Sequence, residues 1–110
     1  MEVDILGTIY KIVYRSIHLD KQLEDADGYC DSTAKLIVIK NENDNNLGDF
    51  ERHQRKSLRH EIIHAFLSES GLQANFQHPE QFGHDETMVD WFAIQFPKIL
   101  KTYTELAILD

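Results

Sequence analysis

The stretch from Phe50 to Ser70 constrains the fold more than any other. Leu58, Ile62, Ala65 and Phe66 recur there at helical spacing and make one apolar stripe. Asp49 stands where a helix N-cap belongs, and Gly71 suits the left-handed residue that ends a helix. A helix with one apolar face must bury it against other elements, so the rest of the chain has to supply a partner layer.

The N-terminal half supplies strands. Val3 to Tyr14 is rich in Val, Ile and Tyr, which favours a strand, although both parities are largely apolar and the length also admits a helix. His18 to Asp27 is polar and acidic and reads as a helix end or loop. Gly28 to Lys40 holds two expected strands, the second built on the continuous apolar run Leu36 to Ile39. Asn41 to Asp49 is a loop by composition. Leu72 to His84 reads as a connection. A last helix starts near Asp85 or Glu86 and carries Met88, Val89, Trp91, Phe92 and Phe96. Pro97 is expected to break or kink it, with a further helical piece in Lys98 to Leu109. The fold class is α+β: a small sheet packed on the Phe50–Ser70 helix, with the Glu86 helix behind.

A chain of 110 residues is enough for one domain, 1–110, with a small core that a bound metal would help to stabilise. The net charge of −8 argues against broad nucleic-acid contact, which needs clustered cations. One basic cluster, Arg52, Arg55, Lys56 and Arg59, lies along a helical face and reads as a solvated surface or, less simply, a dock for an acidic partner. The single Cys30 forms no internal disulfide and reads as a small buried residue. No apolar run reaches membrane-spanning length, and Met1 to Tyr14 is unlike a secretory signal, so the expected location is cytoplasmic.

The chemistry resides in His60-Glu61-Ile62-Ile63-His64. Histidines four apart on a helix share a face, about one turn from each other, and both imidazoles can reach one tetrahedral cation. Nitrogen and oxygen ligands of this kind suit zinc, one ion per chain. Glu61 flanks the ligand pair, placed to act as general base on a water. The five-residue pattern also arises by chance, so context must carry it: a mid-helix position, a buried opposite face and a third ligand downstream.

Catalytic zinc takes three protein ligands and keeps one position open. Leu67 and Ser70 stand where a third-histidine extension of the same helix would need Gly and His, so the third ligand lies elsewhere. Glu86 is the first candidate. Asp90, one turn on, would orient a ligand histidine through its other ring nitrogen. His84, Asp85 and Asp90 are rival ligands.

Residues 60–64 followed by Glu86-Thr87-Met88-Val89-Asp90-Trp91-Phe92-Ala93 resemble a gluzincin-type metallopeptidase. The second segment is similar to the Glu-x-x-Ala-Asn-x-Phe-Ala stretch of the ImmA/IrrE family of phage, mobile elements and bacterial stress systems. It also fits the Glu-x-x-x-Asp pattern of thermolysin-like enzymes. Val89 and Asp90 stand where the ImmA/IrrE family favours Ala and Asn. The resemblance covers about Gly28 to Pro97 and implies a zincin-like fold, a short mixed sheet over the active-site helix with a second ligand-bearing helix. It implies His60, His64 and Glu86 as ligands, Glu61 as base and Asp90 as the orienting acid. A minimal stand-alone gluzincin fits the size as well.

The expected activity is hydrolysis of a peptide or protein substrate. The alternative is a non-catalytic regulatory or binding module of phage or mobile-element type that keeps the zinc site. A third reading is a metal-free structural domain. Tyr29, Tyr103, His78 and His84 are candidate oxyanion partners. Trp91 and Phe92 read as core, His18 and His53 as surface. An extended substrate is expected to add a strand beside an edge drawn from Gly28 to Lys40. Substrate specificity and oligomeric state are not written in the sequence.

Overall fold

The computed structural model describes residues 1–72 and 86–110, excluding the side chains of Glu86, Val89, Asp90 and Ala93. It is a small α+β fold, a four-stranded mixed sheet with two helices.

The Val3–Tyr14 segment is a hairpin, β1 (Glu2–Ile5) and β2 (Thr8–Arg15), paired antiparallel with Ile5 opposite Thr8. The helical alternative fails at Leu6-Gly7, where both residues take positive φ, 53° and 93°. That is the twist a two-residue hairpin turn requires, and glycine supplies the second position without strain. Asp4 Oδ1 accepts the Gly7 N–H at 2.6 Å and closes the turn. Val3, Ile5, Tyr10 and Ile12 then face inward, while Ile9 and Tyr14 stay exposed.

The expected loop 18–27 contains a short 3₁₀ turn, Lys21–Glu24, capped by Asp20 and anchored by fully buried Leu23. It leads into β3 (Gly28–Asp31). Asp31 Oδ1 accepts from the Thr33 and Ala34 amides and turns the chain into β4 (Leu36–Lys40). The strand order is β1-β2-β4-β3, with β2 and β4 parallel and the outer pairs antiparallel. Central β4 buries Ile37, Val38 and Ile39 completely, as its unbroken apolar run requires. β3 is an edge strand.

α1 (Phe50–Ser70) has the expected bounds. The Asp49 side chain accepts the Arg52 amide at 3.1 Å, and Gly71 ends the helix in the left-handed region. Its Leu58, Ile62, Ala65 and Phe66 are buried in one core with Tyr10, Ile12, Ile37 and Ile39. At its C-terminal end Glu69 accepts from Tyr10 OH at 2.7 Å, Thr8 Oγ1 at 3.2 Å and Lys35 Nζ at 2.6 Å, tying the helix to the sheet.

α2 (Glu86–Glu105) runs antiparallel to α1. Trp91 Nε1 donates to Ser70 Oγ at 2.8 Å near one end, and Tyr103 OH donates to the Arg59 carbonyl at 2.8 Å near the other. Two expectations are corrected here. The break that Pro97 allowed does not occur: the helix runs on through it, so the expected helical piece after Lys98 is the last part of α2, to Glu105, and the hydrogen bond that proline cannot donate is lost on a face open to solvent. Phe92 is 42% exposed, not core, while Trp91 is buried and Ile99 and Thr102 complete the inward face. The expected connection Leu72 to His84 lies outside the described residues after Leu72. Among the described residues no helix is long and apolar enough to cross a membrane.

Candidate metal centre

The helical period separates the two sides of α1. With Leu58, Ile62, Ala65 and Phe66 turned to the core, His60 and His64 are exposed on the far side, and Glu61 falls on the border between them. The imidazole Nε2 atoms of His60 and His64 stand 3.1 Å apart, their rings edge to face at 68°. Two nitrogens bound tetrahedrally to one zinc at the usual bond length lie about 3.3 Å from each other. The separation is close to that of two ligands on one ion, and it is also that of a hydrogen bond between the two rings.

Glu61 is only 7% exposed, against the first residue of β3. Burial raises its carboxyl above the usual range, and the two histidines oppose that shift. Among the described residues no hydrogen-bond donor reaches this carboxylate. A base held in low dielectric without a fixed partner is free to take a proton from the cleft.

The cleft itself, about 350 Å³, lies between the edge strand and the histidine face. Tyr29, Cys30 and Ser32 form one wall, and His60, Glu61, His64 and Ser68 form the other. Cys30, expected as a buried residue, is half-buried and lines this cleft. Burial and the neighbouring Glu61 push its thiol up to about 11, so it remains protonated at neutral pH.

The expected third ligand begins α2, but the side chains of Glu86 and Asp90, and all of His84 and Asp85, lie outside the described residues. Among the described residues no group of three His, Cys, Asp or Glu side chains converges to hold a metal. The described part of the site is the histidine pair and its glutamate.

Two oxyanion candidates are committed elsewhere. Tyr29 OH donates to Asp20 Oδ2 at 2.5 Å, and Tyr103 OH is spent on the Arg59 carbonyl. His78 and His84 lie outside the described residues. His18 is exposed as expected, but His53 is partly buried, its Nε2 3.0 Å from Asp27 Oδ2. The basic cluster is not simply a solvated face. Arg55 donates to the Asp110 carbonyl and Arg59 to the Ile108 carbonyl, so the C-terminal residues dock on half of it.

The sequence reading missed Gly28 as a site residue. A Cβ built there would meet the Val38 carbonyl oxygen at 2.6 Å and Ile39 Cδ1 at 3.0 Å, so β3 fits against β4 only without a side chain at this position, and Glu61 Cγ would lie at ordinary contact distance from that Cβ, 3.6 Å. The available signal was a glycine opening a strand, which often marks such an approach.

No protein-family model, curated protein or solved structure matches the chain.

Proposed function

We propose that this chain is a zinc-dependent metallopeptidase of gluzincin type, zincin-like in fold. The carrying observation is the 3.1 Å separation of the His60 and His64 Nε2 atoms beside a buried Glu61, in a cleft open to an edge strand. His60 and His64 would hold the ion, with Glu86 as third ligand and Asp90 orienting a histidine. Zinc bound there supplies Lewis acidity, acidifying a water and polarising a carbonyl.

The rest of the chemistry belongs to the chain. Glu61 takes the proton of the attacking water and returns it to the amine that leaves. Its raised proton affinity suits both halves of that transfer. The outer edge of β3, unpaired among the described strands, offers backbone donors and acceptors to an extended peptide and holds its carbonyl over the ligand pair. This is the economy of a small site: one helix brings the ligands and the base, and one strand orients the substrate.

The test pairs metal analysis with a peptide library. The protein should bind one zinc per chain and cleave peptides, and Glu61→Gln should keep the zinc while losing at least about a hundredfold in rate, the scale of a general base. Zinc binding with no cleavage, indifferent to Glu61→Gln, would instead favour the regulatory module that retains the site. Protein indifferent to zinc and chelator would refute both.

A further inference from the structure

The metal cleft does not end at His60. A second cavity of about 230 Å³ shares Gly28, His60 and Glu61 with it and extends along α1 past Ser57, Lys56 and His53. A third, of about 460 Å³, shares His53 and Lys56 with the second and reaches Arg52, Asp49 and Leu47. Arg52, Lys56, His60, His64 and Ser68 stand four residues apart, so a single ridge of α1 forms the floor of this whole groove.

The charges along the groove are unequal in their freedom. Its anions away from the centre have local partners: Asp27 lies 3.5 Å from Lys40, which Asp44 shares at 3.2 Å, and 3.0 Å from His53 Nε2, and the Asp49 side chain accepts the Arg52 amide at the helix start. Of the basic cluster, Arg55 and Arg59 are held by the C-terminal residues. Lys56 and Arg52 are exposed and have no ion-pair partner among the described residues. In a chain of net charge −8, two unpaired cations follow one another along the groove that leaves the ligand pair.

We propose that this arm of the groove is a specificity site for acidic side chains, with Lys56 one helical turn from His60 selecting the nearer and Arg52 the farther. This rests on the peptidase reading and adds its substrate class: peptides with Asp or Glu on one side of the bond cut and not on the other. Neutral long side chains gain little there, and basic ones meet like charge at close range. The favourable charge also speeds the encounter of an acidic peptide with an otherwise acidic protein.

The experiment profiles cleavage of a peptide library in which acidic, neutral and basic residues are placed at each position around the bond cut. It compares wild type with the double variant Arg52→Glu/Lys56→Glu, both zinc-loaded. A parallel measurement follows binding of labelled acidic and basic peptides by fluorescence anisotropy to Glu61→Gln protein with and without the double substitution. Wild type should favour acidic over basic residues about tenfold on one side of the bond, and the double variant should reverse the ratio. Binding should shift in the same sense, and the wild-type preference should shrink as salt is raised. Cleavage or binding blind to charge, or a ratio unaltered in the double variant, overturns this inference while leaving a peptidase standing. Failure of wild type to cut any peptide refutes the peptidase reading, and this one with it.

Discussion

Gly28 lies beside Glu61, whose Cγ would stand 3.6 Å from a Cβ built on the glycine, but its tight contact is with β4. The pairing of Gly28 with Ile39 across β3 and β4 leaves no room for a side chain, since a Cβ would stand 2.6 Å from the Val38 carbonyl oxygen and 3.0 Å from Ile39 Cδ1. The backbone oxygen cannot yield as a flexible side chain would. The strand therefore has to move if anything larger than hydrogen is placed there.

Gly28→Ala should accordingly cost about 1–3 kcal/mol, the range for forcing an extra methyl into a packed site. At roughly 4 °C per kcal/mol for a domain of this size, the melting midpoint should fall by about 4–12 °C. Because the displaced strand also walls Glu61, the surviving folded protein should lose cleavage rate while keeping its zinc. Circular dichroism melts, metal analysis and a rate at a temperature where the variant is folded check all three. A variant as stable and as active as wild type would show that the close approach has no consequence.

Metal binding should be visible as stability. A ligand at a hundred times its dissociation constant adds about 2.7 kcal/mol if it binds only the folded chain, so zinc should raise the midpoint by about 10 °C. His64→Ala leaves one nitrogen of the pair and should abolish most of that rise with little effect on the metal-free midpoint, because His64 is exposed. Chelator should return wild type to the metal-free value. An equal zinc-dependent rise in His64→Ala would place the ion elsewhere.

Much of this was legible in the sequence, and for identifiable reasons. The bounds of α1 could be read because its apolar period, Asp49 cap and Gly71 stop agree with one another. β4 could be read because burial on both faces leaves an unbroken apolar run. The hairpin at Leu6-Gly7 was obscured because both parities of Val3–Tyr14 are apolar, and the decisive glycine sits inside the run. Phe92 misled because an aromatic residue beside Trp91 looks like core, whereas a helix turns neighbours about 100° apart and only one faces α1. Of the site, spacing alone gave the His60–His64 pair and Glu61. Gly28 was not legible as lying beside Glu61, and Arg52 and Lys56 could be read only as half of a basic cluster, solvated or docking an acidic partner, with nothing to set them apart from Arg55 and Arg59. Their roles depend on which strand lies at the sheet edge and where the C-terminus docks, and both are set by tertiary packing.

Glu69 should make the fold sensitive to acid. Lys35 first, and then Tyr10, hold its carboxyl below the usual range by hydrogen bonding to the charged form. A folded pKa below the unfolded one means the contribution is fully present above the unfolded value near 4.5 and is lost as pH falls through the folded value. Glu69→Gln should cost about 1 kcal/mol at pH 7, through weakened hydrogen bonds to Tyr10 and Lys35. The gap between wild type and variant should close as pH is lowered from 5 toward 2. Urea titrations at several pH values measure this directly, and a gap that stays constant to low pH would contradict it.

The alkaline limit should be set in part by Tyr103. Burial pushes its phenol up to about 12, with Arg59 opposing, while the unfolded chain ionises near 10. Below pH 10 both states keep the proton, and the contribution is whole. Above it the unfolded chain releases the proton first, so stability falls as pH rises toward 12. Tyr10, buried and donating to Glu69, is raised in the same way and adds to the fall. Tyr103→Phe should cost about 1 kcal/mol at neutral pH by leaving the Arg59 carbonyl without this donor. It should also lose stability less steeply than wild type between pH 10 and 12, so that the two curves converge. Parallel curves across that interval would mean that the phenol ionises as readily in the folded chain as in the unfolded one, and that its burial between the helices carries no electrostatic consequence.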